Sequence, residues 1–149
     1  MSKESKSADL IMQLYDLRRE AMMREARNWF ISFFPESVDD VMRTLIDPTT
    51  SGYYRMVTTY WDMAASFVNR GAIDEEMFLE SNNECWVIFA KIQPYLDGVR
   101  SVLENDCYLA NIEKLLMRQP DAIAKLEARR KSMKRWMAAR AEMMAKSAS

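Results

Sequence analysis

Only three glycines and four prolines punctuate this chain of 149 residues, and the long stretches between them are written mainly in Leu, Met, Ala, Glu, Lys and Arg. Those residues lose little rotamer freedom in a helix, so uninterrupted runs of them fold as long helices. Isoleucine and valine are sparse, which leaves an extended sheet little to build on. The expected class is all-α: an antiparallel helical bundle of about five to seven helices, with long N-terminal and C-terminal helices.

The same composition narrows the chemistry. The chain has no histidine, the usual general base near neutral pH and the commonest metal ligand. Ser–His–Asp and Cys–His pairs therefore cannot form within it. Gly52, Gly71 and Gly98 stand too far apart to make a phosphate-cradling loop. Cys85 and Cys107 fit neither a metal spacing nor a Cys-x-x-Cys motif, and read as two buried thiols acting as small hydrophobes in a reducing compartment. The expectation is a protein that is not an enzyme, with no catalytic residue, cofactor or metal. No run approaches the ~18 apolar residues of a membrane span, and Met1 to Ser7 lacks the apolar core of a secretory signal. A cytoplasmic location is expected.

Local signals divide the chain. Residues 1–6 are polar and expected to be disordered, and residues 7–146 to form one helical domain. Ser7 is the expected N-cap of a helix running to about Phe34, where Pro35 stops it. Ser37 and Asp40 resemble a capping box ahead of a short helix, Val38 to Ile46. A turn from Asp47 to Gly52 leads to an aromatic helix from about Ser51 to Arg70, with Gly71 as its left-handed terminator. Asp74 caps the next helix, with Glu75 and Glu76 on its first turn. A helix from about Asn83 to Glu104 should be kinked or divided at Pro94. A shorter one spans about Cys107 to Met117, and a last one runs from about Asp121 to Lys146.

Two clusters invite a chemical reading. Glu76, Glu80 and Glu84 lie four apart beside Asp74 and Glu75, but helical di-metal sites pair Glu with a Glu-x-x-His motif, so this run reads as a solvated face. The aromatics Tyr53, Tyr54, Tyr60, Trp61, Trp86, Phe89 and Tyr95 could line a ligand pocket, yet at helical spacing they read first as core, with Asp62 and Arg55 as candidate partners for buried hydroxyls.

Charge is distributed unevenly. Residues 1–34 carry +1; residues 35–121 hold fifteen acidic and seven basic side chains; residues 122–149 hold two acidic and eight basic. The last helix (about 121–146) is thus basic and amphipathic, and it supplies the candidate interaction residues: Lys125, Arg129, Arg130, Met133, Lys134, Trp136, Met137 and Met144. Its apolar positions 126, 133, 137 and 144 fall on one face. That face can pack on the bundle or on a second chain. The helix can instead lie on an anionic membrane or meet nucleic-acid phosphates, although a pI near 5.6 argues against nucleic acid.

The stretch from Tyr54 to Arg100 carries a resemblance. The aromatic helix Tyr60 to Val68 leads into Asn69-Arg-Gly-Ala-Ile-Asp-Glu-Glu-Met-Phe78, followed by a helix with Trp86, then Pro94-Tyr95 and Arg100. This pattern resembles a large, uncharacterised family of small bacterial all-helical proteins, in which a helix ends in a basic residue plus glycine and Ile-Asp-Glu or Leu-Asp-Glu opens the next. Many of those relatives carry an N-terminal membrane segment, and no such segment is seen here. The resemblance implies a bacterial origin and an all-α fold. It supplies no activity, and it makes Gly71 and Asp74 turn and cap residues, leaving Arg70 and Arg100 without a role. The functional expectation is a non-catalytic helical interaction or self-association module. Its partner would be a second copy, a dimer first, or another protein; an anionic surface reached through the basic helix is the alternative.

Overall fold

The computed structural model describes residues 2–149, and every regular element among them is helical. In chain order these are α1 (Lys3–Arg18), α2 (Ala21–Ser32), α3 (Val38–Ile46), α4 (Ser51–Asn69), α5 (Glu75–Ser81), α6 (Glu84–Ile92), a 3-10 turn (Gln93–Tyr95), α7 (Leu96–Leu103), α8 (Ala110–Met117) and α9 (Ala122–Ser147).

α4 is the axis of the bundle. Its residues Tyr54, Val57, Tyr60, Trp61, Ala64, Ala65 and Val68 recur at helical spacing on both flanks, so two faces are buried at once. One receives Met23, Ala26 and Phe30 of α2, the other Ile112, Leu115 and Leu116 of α8. Aromatic packing fixes the α2 side: Phe30 stacks on Tyr54 with centroids 6.0 Å apart, and Phe33 meets the same ring edge-on at 5.7 Å.

The punctuation follows the sequence closely in places. Ser37 Oγ accepts the Asp40 amide at 3.0 Å and Asp74 accepts that of Met77 at 3.0 Å, as caps should. The Asp40 carboxylate reaches back to the Glu36 amide at 2.8 Å, one residue before the position a capping box uses. Gly71 takes φ +80° at the end of α4. Pro94 divides the expected Asn83–Glu104 helix into α6 and α7 through the 3-10 turn.

Other expectations are corrected. Residues 3–6, expected to be disordered, are already helical, because Ser2 caps α1 by accepting the Ser5 amide at 3.1 Å; Met1 lies outside the described residues. Ser7 is not a cap: it is fully buried, and its hydroxyl accepts the Asp74 amide at 2.9 Å, tying α1 to the start of α5. The single expected helix from Ser7 to Phe34 breaks at Arg19 and Glu20 without glycine or proline. Tertiary contacts make the break: Tyr60 donates to the Leu14 carbonyl, the Arg18 guanidinium lies 5.2 Å over the Trp61 ring, and the Glu20 carboxylate caps α2 through the Met23 amide at 2.9 Å. α8 starts at Ala110 and not at Cys107, after a turn in which Leu109 is left-handed at φ 54°; Cys107 sits in that turn and is exposed, so only Cys85 is the buried thiol expected of both.

Candidate interaction helix

α9 is two different helices in one. At its start Ala122 and Leu126 enter the core, and α6 is the element it packs on most. Arg129 donates to the Asn83 side chain at 2.8 Å, Arg130 to the Ala90 carbonyl at 2.8 Å, and the Lys125 ammonium sits 5.7 Å over the Trp86 ring. Three of the candidate basic residues are therefore engaged within the fold. Met133 is half-buried and shares a shallow groove with Ile31, Val87 and Trp136.

Past Met133 the bundle covers the helix only in part. Lys134, Arg135, Arg140 and Lys146 are exposed; Met137 keeps partial cover. Trp136, Met143 and Met144 are 50 %, 69 % and 65 % exposed, large fractions for apolar side chains of this size. Within this half the Arg140 guanidinium lies 5.7 Å over the Trp136 ring and Lys146 pairs with Glu142 at 3.3 Å. The face read from positions 126, 133, 137 and 144 is thus real at its first residue, partial at the next two and bare at the last.

Elsewhere the polar groups are consumed by architecture. Asp62 of α4 accepts the amides of Asn111 and Ile112 at 3.1 and 3.0 Å, so it caps α8 from another helix and does not serve the buried tyrosines. Tyr60 donates to the Leu14 carbonyl, Tyr54 Oη meets Tyr108 Oη at 2.7 Å, and burial drives the Tyr54 hydroxyl well above its ordinary pKa. Arg100, without a role in the sequence, donates to the Tyr108 carbonyl at 2.9 Å and to Glu113 at 2.9 Å. The acidic run is dispersed: Asp74 caps α5, Glu75 pairs with Arg118, and Glu84 pairs with Arg27 at 3.1 Å. Among the described residues no three His, Cys, Asp or Glu side chains converge as a metal site would require.

Lys91 escaped the sequence reading. It is 3 % exposed, and its ammonium donates to the Phe30 and Ile31 carbonyls at 2.7 and 3.1 Å, closing the C-terminal turn of α2. The Phe34 ring lies 4.3 Å from the nitrogen. Burial holds its pKa down at about 8. The signal was a lone lysine inside Trp86-Val-Ile-Phe-Ala-Lys-Ile92, where a solvated side chain has no place.

This is a helical bundle defined by a buried aromatic axis and extended by a basic helix. The chain matches a domain of unknown function (DUF4760) over residues 5–119 and belongs to that family. No curated protein and no solved structure matches it. The matched stretch ends before α9, so the helix whose first turns complete the core lies outside the family match.

Proposed function

We propose that the chain is a non-catalytic helical module that works by protein contact and self-associates through α9, with a dimer as the assembly and the bacterial cytoplasm as its setting. The observation that carries this reading is the outer half of α9, where Met143 and Met144 stand in solvent and Trp136, at the rim of the groove with Ile31 and Val87, is half exposed. Exposed aromatic and methionine side chains on a regular helix suit an adaptable protein contact. Lys91, Tyr54, Tyr60, Asp62 and Arg100 are committed to holding helices together. No helix among the described residues is long and apolar enough to cross a membrane.

The test is solution mass by light scattering on the full chain and on one ending at Lys134. A cut at Asp121 would remove Leu126 from the core and confuse unfolding with dissociation. The expected outcome is a dimer that becomes a folded monomer on shortening; two monomers would refute the reading. A second reading rests on Lys131, Lys134 and Arg135 flanking Trp136 on the exposed helix, a pattern that suits an anionic surface. Binding of the full chain to acidic vesicles, lost as salt rises, would favour it.

A further inference from the structure

Resting on the self-association proposed above, we infer that α9 meets the acidic turn between α7 and α8 of a second copy, with that copy's Val102 and Leu103 seated in the groove beside Trp136. Local charge selects the two surfaces. The groove is lined by Ile31 of α2, Val87 of α6, and Met133 and Trp136 of α9. At about 100° per residue, Arg129 and Arg140 fall on the same stripe of α9 as Trp136, whereas its two carboxylates, Glu127 and Glu142, fall off it. The one carboxylate in the lining, Glu84, is held by Arg27 at 3.1 Å, and the Arg140 guanidinium has the Trp136 ring as its partner. The groove is therefore cationic at its rim, and a second α9 is repelled from it.

The complementary combination occurs at the end of α7. Val102 and Leu103 are 58 % and 37 % exposed, Glu104 and Asp106 follow them in solvent, and Asp97 is exposed on the same helix. The single cation of residues 96–109, Arg100, is largely buried and is spent on Glu113 and the Tyr108 carbonyl. α3, packed against α7, adds Asp39 and Asp40 against Arg43. The turn is also held before any partner arrives. The Asn105 amide donates to the Arg100 carbonyl at 3.0 Å, the Cys107 amide to the Asn105 side chain at 3.0 Å, and Tyr108 meets Tyr54 of α4. A preformed loop gives up little conformational entropy on docking. The apolar residues then leave water at the centre of the contact, and carboxylates meet guanidiniums at its rim. Two copies that exchange turn and groove about a two-fold axis close as a dimer.

The experiment is sedimentation of the full-length chain at about 50 mM and about 500 mM salt, together with two charge-reversed chains. One carries Glu104→Lys and Asp106→Lys on the turn, the other Arg129→Glu and Arg140→Glu at the groove. Dimerisation of the unchanged chain should weaken about tenfold at the higher salt. Each reversed chain alone should be a folded monomer by circular dichroism and mass, at a concentration where the unchanged chain is a dimer. Their equimolar mixture should form a heterodimer, since both contacts then pair opposite charges again. Should Arg129→Glu disturb the fold, Arg140→Glu alone reverses the rim from an exposed position. A turn variant that still dimerises, a mixture that stays monomeric, or a dimer that tightens with salt would overturn this docking while leaving self-association standing. An unchanged chain that is monomeric at every concentration overturns self-association and the docking with it.

Discussion

α4 and α9 are the two longest helices of the molecule, nineteen and twenty-six residues, yet α4 buries eight side chains and α9 two. Both are strong helix-forming sequences, so propensity does not separate them. The difference lies in how wide the apolar arc is. α4 interrupts its apolar residues with few charges, chiefly Arg55 and Asp62, and is packed from two sides. α9 places a charge at nearly every turn and keeps only a narrow stripe, which is enough to anchor one end and leaves the other without a neighbour. A helix can therefore be equally secure as a helix and entirely different as a part.

The sharpest way to break this comparison is to cut one large side chain from each. Trp61→Ala should cost about 3–5 kcal/mol, because the ring is 1 % exposed and packed on Tyr60 and Phe78. Met143→Ala, measured by urea unfolding at concentrations where the chain is monomeric, should stay within about 0.5 kcal/mol. Comparable losses at the two sites would mean that α9 packs along its whole length.

Glycines make the same contrast on a smaller scale. A Cβ on Gly98 of α7 would sit 2.4 Å from Val38 Cγ2 of α3, so Gly98→Ala should destabilise by about 1–3 kcal/mol. Gly52, near the start of α4, has nothing within 4 Å of the same atom, and Gly52→Ala should stabilise by about 0.5 kcal/mol. Equal midpoints for the two variants in thermal unfolding would remove the α3–α7 contact from the fold.

The smallest effect separates a buried lysine from the solvated ones of α9. Lys91 has its pKa lowered from 10.5 to about 8 in the fold, so above pH 8 the unfolded chain holds the additional proton and stability rises with pH. Cys85 acts in the opposite sense above pH 9, because burial raises its thiol from 9.0 to about 12 and the unfolded thiol ionises first. Between pH 8 and 9 the lysine outweighs the thiol, and stability should climb by about 0.6 kcal/mol. Lys91→Met should flatten that climb; a variant that keeps it would assign the proton to another group.

These contrasts also mark what the sequence could and could not convey. Caps and stops are local chemistry, so Ser37, Gly71, Asp74 and Pro94 were legible. The break at Arg19 and Glu20 was not, since it depends on Tyr60 and Trp61 arriving from a distant segment. Ser7 failed for the same reason: a serine ahead of an apolar run reads as a cap until Asp74 claims its hydroxyl. The basic helix was legible as an element and as a charge pattern. Its division at Met133 was not, because a periodic stripe records which face is apolar and is silent on where the partner surface stops.

The cap that Asp62 supplies to α8 has a consequence for the order in which the molecule assembles. The first turn of α8 begins at a left-handed Leu109 and has no local side chain to hold its amides; its acceptor lies 49 positions earlier in the chain. An isolated segment would meet the full nucleation penalty of a short helix, so the first turn of α8 depends on α4 being in place. Exchange of the Asn111 and Ile112 amides with solvent deuterium would then report the opening of that docked pair and not the fraying of one helix.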